Sequence, residues 1–321
     1  MAKSKLSGFA AKLKADKKVL KHIPVKSTDP LEYAHAGSIT LNLLISGKVN
    51  GGIALTRGLC MLGAPKAHGK TLIAMIACGN AQKKGYHVVW VDTEYAFDED
   101  QAKMFGMSVD PQDLTIIQGN KLEECQGAIM NAFNNFEYGV DKAMMVIDSL
   151  GTLVTSKTVD DAEEVADKAD MTVAKKKNTL SKIILGISGD LNVPVIMINH
   201  LYSAMSQYDT GVVSGGSGGQ YASGTILKIT SKAKEKASST DNTIVGNALT
   251  MIVDKGRFSQ EKMQWRVDLL KNHLMDTILD HVLLEIKSGV KKLFIVLNFG
   301  YLYLKKLILK SILKLNTLTR V

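Results

Sequence analysis

The sequence predicts an α/β fold: a mostly parallel central sheet ending in antiparallel strands, with a short N-terminal helix and an atypical C-terminal tail. Three observations carry that expectation. Short runs rich in Val, Ile and Met alternate with segments of helical period. A glycine-flanked loop joins one such run to an apolar helix. The last three strand candidates follow one another without helices between them, which a parallel crossover does not allow.

Taken in order, residues 1–26 read as a basic helix with Phe9, Leu13 and Leu20 on one side, ending before Pro24. The apolar run Leu59–Leu62 leads into the loop, and Lys70–Lys84 has helical period. His87–Asp92, Leu114–Gln118, Ala143–Asp148 and Pro194–Asn199 read as strands, with helices at Leu122–Phe136 and Thr172–Leu185 between them. Runs that are apolar along their whole length fit strands covered on both faces. Thr225–Thr230, Ala248–Asp254 and Met263–Leu269 are the antiparallel candidates. Residues 203–224 hold six glycines and almost no core-forming side chains, so they read as a long loop, functional or disordered.

Composition excludes several classes. The 321 residues carry 40 Lys and Arg against 31 Asp and Glu, a net charge of +9, but the excess sits at the ends. Residues 1–26 hold 8 Lys and one Asp, residues 271–321 hold 9 bases and 3 acids, and the middle holds 23 bases and 27 acids. Whole-chain charge therefore does not by itself indicate nucleic-acid binding. Three scattered cysteines, Cys60, Cys78 and Cys125, form neither a disulfide framework nor a zinc pattern, and fit a reducing compartment. The Lys-rich N-terminus lacks the apolar core of a signal peptide. The most apolar stretch, Leu293–Leu304, is too short to span a bilayer, so no membrane role is expected.

The most informative stretch is Gly63-Ala64-Pro65-Lys66-Ala67-His68-Gly69-Lys70-Thr71, followed by Leu72. A strand, a glycine-containing loop and a helix that opens on Lys-Thr suit a phosphate-binding P-loop, in which backbone N–H groups and the helix N-terminus face the anion. Lys70 is placed for the β- and γ-phosphates of ATP and Thr71 for Mg²⁺. Ala64 stands where the motif has glycine, which demands a negative φ there or a turn absorbed by Gly63. Two apolar strands end in acids, at Asp148 and at Asp92-Thr93-Glu94. In a parallel sheet both ends meet at the carboxyl edge, where ligands bind. Asp148 then suits a Mg²⁺-bound water, or simply caps the next turn. Glu94 suits the orientation of an attacking water.

Set in order, these residues resemble the RecA-type recombinases, and the UvsX-like recombinases of T-even-type phages in particular. The likeness runs from about Ile23 to Leu269. It rests on Gly37-Ser38-Ile39-Thr40-Leu41-Asn42, the phosphate loop, Asp92-Thr93-Glu94, Ile147-Asp148-Ser149, Ile198-Asn199-His200, Gln220-Tyr221-Ala222-Ser223 and Val253-Asp254-Lys255-Gly256-Arg257, all collinear. The resemblance implies a RecA-like P-loop ATPase core at 27–270, with residues 1–26 as a protomer-docking helix. It implies a DNA-dependent ATPase that polymerises as a helical filament on single-stranded DNA, pairs it with homologous duplex DNA and exchanges strands in recombination and repair. Lys70, Thr71, Glu94 and Asp148 carry over as above. His200 carries over as the γ-phosphate sensor, and otherwise reads as a hydrogen-bonded strand-end histidine. Lys255 and Arg257 carry over as cations reaching a neighbouring protomer's ATP, and otherwise read as a solvated edge. Asp98 carries over to the adenine, while Gln101 replaces an aromatic ring of some relatives.

The resemblance further implies two DNA loops, at about Thr155–Asp170 and Ser203–Gly224. Lys175 and Lys182, seven residues apart, share one helix face after the first and suit DNA phosphates, although Lys175–Lys177 also reads as a solvated run. Gly215 and Gly216 in the second suit close backbone approach to DNA. Six acids between Asp160 and Asp170 are expected to face away from DNA or to meet a neighbouring protomer. Implied partners are a single-stranded-DNA-binding protein and a loader or mediator, in the cytoplasm, of a host cell if the chain is phage-encoded.

Residues 271–321 depart from this pattern: Leu, Ile and Lys supply 26 of 51 residues. They read as an amphipathic basic helix, with Lys306, Lys310 and Lys314 on one face, or as the product of a frameshift near Leu270–Met275, the reading favoured by the bias towards AT-rich codons. Two rival functions share the nucleotide site. One is a replicative-helicase-type motor, which normally adds an N-terminal domain. The other is a non-hydrolysing single-stranded-DNA-binding mediator, motivated by Ala64 and the tail.

Overall fold

Side chains alternate between two hydrophobic layers along every central strand, and this alternation organises the fold. The structure, a computed structural model, describes residues 31–134, 136–158, 172–202, 212–213, 217–236, 244–270 and 273–275. The expected N-terminal helix, Gly215 and Gly216, most of the first DNA loop and nearly all of the tail lie outside the described residues. The chain divides into two units, Met1–Thr277 and Ile278–Val321, and every described residue belongs to the first.

The elements are β1 (Tyr33–Ala34), α1 (Ile39–Ser46), β2 (Ile53–Ala54), β3 (Gly58–Ala64), α2 (Lys70–Gln82), β4 (His87–Asp92), α3 (Glu99–Met104), β5 (Leu114–Gln118), α4 (Leu122–Phe133) and β6 (Ala143–Asp148). A 3₁₀ turn follows at Leu150–Thr152, then α5 (Thr172–Leu191), β7 (Pro194–Tyr202), β8 (Val212–Val213), α6 (Ser217–Ala222), β9 (Ser223–Lys236), β10 (Ile244–Lys255), β11 (Gln264–Leu270) and β12 (His273–Met275). The main sheet runs β12-β11-β10-β9-β3-β7-β6-β4-β5, with β8 paired to β7. From β5 to β9 neighbours are parallel, and from β9 to β12 they are antiparallel.

One layer takes Cys60 and Leu62 of β3, Val88 and Trp90 of β4 and Met144 and Val146 of β6, packed against α1 and α2. The other takes Leu59 and Met61, Val89 and Val91, and Met145 and Ile147, packed against α4 and α5. This period of two, with both faces buried, makes the strands read as unbroken apolar runs. α1 is closed at both ends: Ser38 Oγ accepts from Leu41 N at 3.0 Å, and Gly47 takes the left-handed backbone with its N–H on Leu43 O.

The structure departs from sequence expectation mainly in lengths. β7 continues to Tyr202 because Leu201 and Tyr202 pair with Val213 and Val212. β9 and β10 extend beyond their apolar centres through ladder pairing. Residues 203–224 are not all loop, since Ser217–Ala222 form α6. Its glycines serve close packing: a Cβ at Gly218 would stand 2.4 Å from Asn178 Oδ1, and one at Gly219 3.0 Å from Met61 Cε. The sheet also runs on past residue 270, where β12 pairs with β11.

Candidate functional site

The parallel register brings four strand ends together. Ala64 lies level with His200, and Asp92 with Asp148. The loop after β3, the segment after β4, the end of β6 and residue 200 of β7 therefore share the carboxyl edge.

In the phosphate loop, Ala64 is fully buried and continues β3. The left-handed positions fall on Ala67 (φ 59) and Gly69 (φ 78) instead, so a methyl group at 64 brings no strain. Gly69 is the N-cap of α2 and supplies no side-chain cap, which leaves the first N–H groups of the helix for an anion. Lys70 is buried, and its Nζ donates to Ala64 O at 3.0 Å and Pro65 O at 2.9 Å. Burial lowers its pKa, opposed by the charges of Asp148 and Glu94. Lys232 of β9 donates to Ala67 O at 2.8 Å, a brace that sequence reading did not find.

The acids differ sharply in setting. Thr71 Oγ1 donates to Asp148 Oδ2 at 2.7 Å. Burial pushes Asp148 up to about 6, against the Thr71 hydrogen bond. Glu94 Oε1 accepts from Ser149 Oγ at 2.7 Å and stands 2.9 Å from His200 Nε2. Burial raises the Glu94 pKa, but the bonds from Ser149 and His200 and the charges of His200 and Lys70 outweigh it and hold the carboxyl below its ordinary range. Asp92, also buried, accepts from the N–H groups of Glu94, Ala96 and Phe97 and so shapes the segment that carries Glu94. Ser149 and Asp92 were visible in the sequence only as neighbours of the assigned acids.

Lys66, Ala67, His68, Gly69, Lys70, Thr71, Glu94, Asp148 and His200 line one cavity of about 230 Å³. Gly63, Ala64, Pro65 and Leu72 do not line it; Gly63 and Ala64 end β3, Pro65 begins the loop and Leu72 lies in the first turn of α2. Nor does Asp98, whose carboxylate caps α3 by accepting from Gln101 N at 2.6 Å. Lys255 and Arg257 lie at the opposite edge. Lys255 is level with Ile226, near the start of β9, where its Nζ is 3.3 Å from Tyr221 O, and the Arg257 side chain reaches Gly58 and Gly224. At ~3.3 Å per residue, the length of β3 puts about 20 Å between Arg257, at Gly58, and the phosphate loop. The Lys255 backbone is level through Ile226 with Met61, the middle of β3, and its ammonium turns away from the loop towards Tyr221 O. Lys175 and Lys182 are exposed on α5.

The donor set suits a hard cation with a polyphosphate. Among the described residues no group of three or more His, Cys, Asp or Glu is placed to hold a metal. One hydroxyl and one carboxylate beside a phosphate loop match the sparse protein ligation of Mg²⁺, which keeps waters and takes phosphate oxygens. Asp148, whose carboxyl burial pushes up to about 6, is itself a group whose ionised form a bound cation would stabilise. No described helix is long and apolar enough to cross a membrane.

Comparison with known proteins agrees with this architecture. The chain is 27% identical over 229 residues to the recombination and repair protein of Enterobacteria phage T4, covering 71% of this chain and 57% of that one. It is 32% identical over 175 residues to Protein RecA of a Nocardioides species (54% and 46%), and 24% identical over 245 residues to Protein RecA of Phytoplasma mali (75% and 68%). The chain spans about half the length of most of the curated relatives it matches. The family described as the RecA N-terminal domain matches residues 13–273, the stretch that contains the sheet from β3 through β11 and its carboxyl-edge site, and the chain therefore belongs to the RecA family.

Proposed function

We propose that this chain is a DNA-dependent ATPase that polymerises on single-stranded DNA as a helical filament and catalyses homologous pairing and strand exchange. The observation that carries the reading is the division of the site between two edges of the sheet. The phosphate loop, Thr71, Asp148 and Glu94 stand at the carboxyl edge, whereas Lys255 and Arg257 stand at the amino edge. Such a surface is completed by a second copy docked head to tail, and a head-to-tail contact that does not close generates a filament. Membership of the RecA family, in which ATP binding and Mg²⁺-dependent hydrolysis are general, supports the same reading.

Lys70 and the loop N–H groups bind the β- and γ-phosphates. Thr71 Oγ1, with Asp148 beside it, would hold Mg²⁺, which would supply charge neutralisation at the phosphoryl oxygens. Glu94 is ionised at neutral pH and has Oε1 fixed by Ser149 and His200, so Oε2 is the atom that orients the water and takes its proton. His200, three residues before the second DNA loop, carries the state of the γ-phosphate into it. Lys255 and Arg257 stabilise charge on the neighbour's ATP. Lys175 and Lys182 hold DNA phosphates, together with Gly215 and Gly216 in the second loop. Ala64 gives no support to a non-hydrolysing reading, since its backbone is that of an ordinary strand.

The test is joint-molecule formation by the full chain with ATP, Mg²⁺, single-stranded DNA and a homologous duplex. Strand exchange that needs ATP and homology is expected. Rings that unwind duplexes regardless of homology would contradict the proposal.

A further inference from the structure

Helix α5 carries three consecutive lysines in three different environments. Lys175 is exposed. Lys176 Nζ lies 2.7 Å from Glu123 Oε1 of α4. Lys177 is 6% exposed, and among the described residues its ammonium donates to Gly151 O at 2.7 Å. Taking an ammonium out of water is strongly unfavourable before compensation. Burial accordingly lowers the Lys177 pKa. A solvated run needs no such residue, and for packing alone a methionine would serve better.

The acceptor gives the lysine a purpose. Gly151 is the middle residue of the 3₁₀ turn that follows Asp148 and Ser149. That turn is cross-braced onto the segment carrying Glu94. Thr93 Oγ1 and Thr152 Oγ1 donate to Ser149 O at 2.7 and 2.9 Å, and Ser149 N donates to Thr93 Oγ1 at 2.8 Å. Ser149, itself fully buried, donates from Oγ to Glu94 Oε1 at 2.7 Å. An unbroken path of hydrogen bonds and short backbone links therefore runs from the Lys177 ammonium to the carboxylate that faces the phosphate cavity.

We propose that Lys177 is a positioning residue for hydrolysis: by holding the 150–152 turn on α5 it fixes Ser149, and through Ser149 it fixes Glu94. The inference rests on the proposed function and adds a second connection from the DNA side to the reacting centre. His200 links Glu94 to the residues that follow β7. Lys177 links the same oxygen of Glu94 to the helix whose exposed side presents Lys175 and Lys182. The first donor is part-exposed. The second is buried and held from several sides.

The experiment is single-stranded-DNA-stimulated ATP hydrolysis by the full chain carrying Lys177→Met, Ser149→Ala, both together, or Glu94→Gln. Lys177→Met keeps the packing of the stem and removes the ammonium. Each of the first two variants is expected to lower kcat about 10- to 100-fold, the scale of a mispositioned catalytic group. KM for ATP and affinity for single-stranded DNA should stay at wild-type values, because neither side chain is assigned to nucleotide or DNA. The double variant should be no slower than the slower single, as expected for residues acting through one path. If Lys177→Met does not fold, Thr152→Val takes its place in the same cycle. Wild-type kcat in Lys177→Met beside an inactive Glu94→Gln would overturn this inference alone, as would multiplicative losses in the double variant. A Glu94→Gln protein as active as wild type would overturn the proposed function and this inference with it.

Discussion

Thr71 Oγ1 donates to Asp148 Oδ2 at 2.7 Å and so joins the first turn of α2 to the end of β6, 77 residues away. Asp148 is buried, and its pKa is pushed up to about 6. Its folded pKa therefore exceeds its unfolded one, and ionising it opposes folding. In the absence of Mg²⁺ the protein should lose stability through this group as pH rises from about 4 to about 6. Mg²⁺ binding with ATP should expel the proton and weaken as pH falls below about 6. Calorimetry at about pH 5 and about pH 8 reads both effects. Asp148→Asn should bind Mg²⁺ weakly at either pH.

Lys70→Ala should lose nucleotide affinity by roughly 100-fold, since a charge-assisted contact inside a buried site is worth about 1.5–3 kcal/mol. The fold should survive, because the Lys70 bonds to Ala64 O and Pro65 O lie within its own loop. Binding of a fluorescent nucleotide, with circular dichroism as control, checks this.

Lys255→Ala should impair hydrolysis only in assembled filaments. Its ammonium turns towards Tyr221 O, on the amino side of the sheet, and does not line the cavity of its own chain. Filaments mixed from Lys255→Ala and Glu94→Gln protomers should recover part of the activity, because some interfaces combine an intact Glu94 with an intact Lys255. No recovery at any ratio would argue against a role across the interface.

DNA binding should follow local charge, not the total of +9. Lys175→Ala and Lys182→Ala, both at exposed positions on α5, should each flatten the dependence of log affinity on log salt by about 0.7. Neutralising a lysine of residues 1–26 should change that slope less. Anisotropy with a labelled oligonucleotide across a salt series gives the numbers.

Gly218→Ala should destabilise the protein by about 1–3 kcal/mol through overpacking, since the new methyl group would meet Asn178 Oδ1 and Cα at 2.4 and 2.8 Å. A lowered Tm with the far-ultraviolet spectrum retained is the expected result.

Buried parallel strands were the most legible part of this fold. β4 and β6 end where their apolar runs end, because each leaves the core at the sheet edge. The outer halves of β9 and β10 were not legible. Residues 230–234 are exposed and held by ladder pairing, which leaves no apolar signature. α6 was hidden because its glycines suggest a loop, while the structure uses them to bring α6 against α5 and the sheet. In the site, Lys70, Thr71, Glu94, Asp148 and His200 were readable because each stands at a strand end or helix start. Lys177 was not: in sequence it looks like Lys175 and Lys176, and only its contact with Gly151, 26 residues away, separates it from them.

The central claim is that Glu94, held by Ser149 and His200, directs water onto ATP in a DNA-bound assembly. Its most direct test is ATP hydrolysis with and without single-stranded DNA, for the wild-type chain and for Glu94→Gln. The account predicts hydrolysis stimulated by DNA in the wild type, and in Glu94→Gln retained nucleotide binding with turnover lost. Wild-type hydrolysis indifferent to DNA, or full turnover by Glu94→Gln, would contradict it.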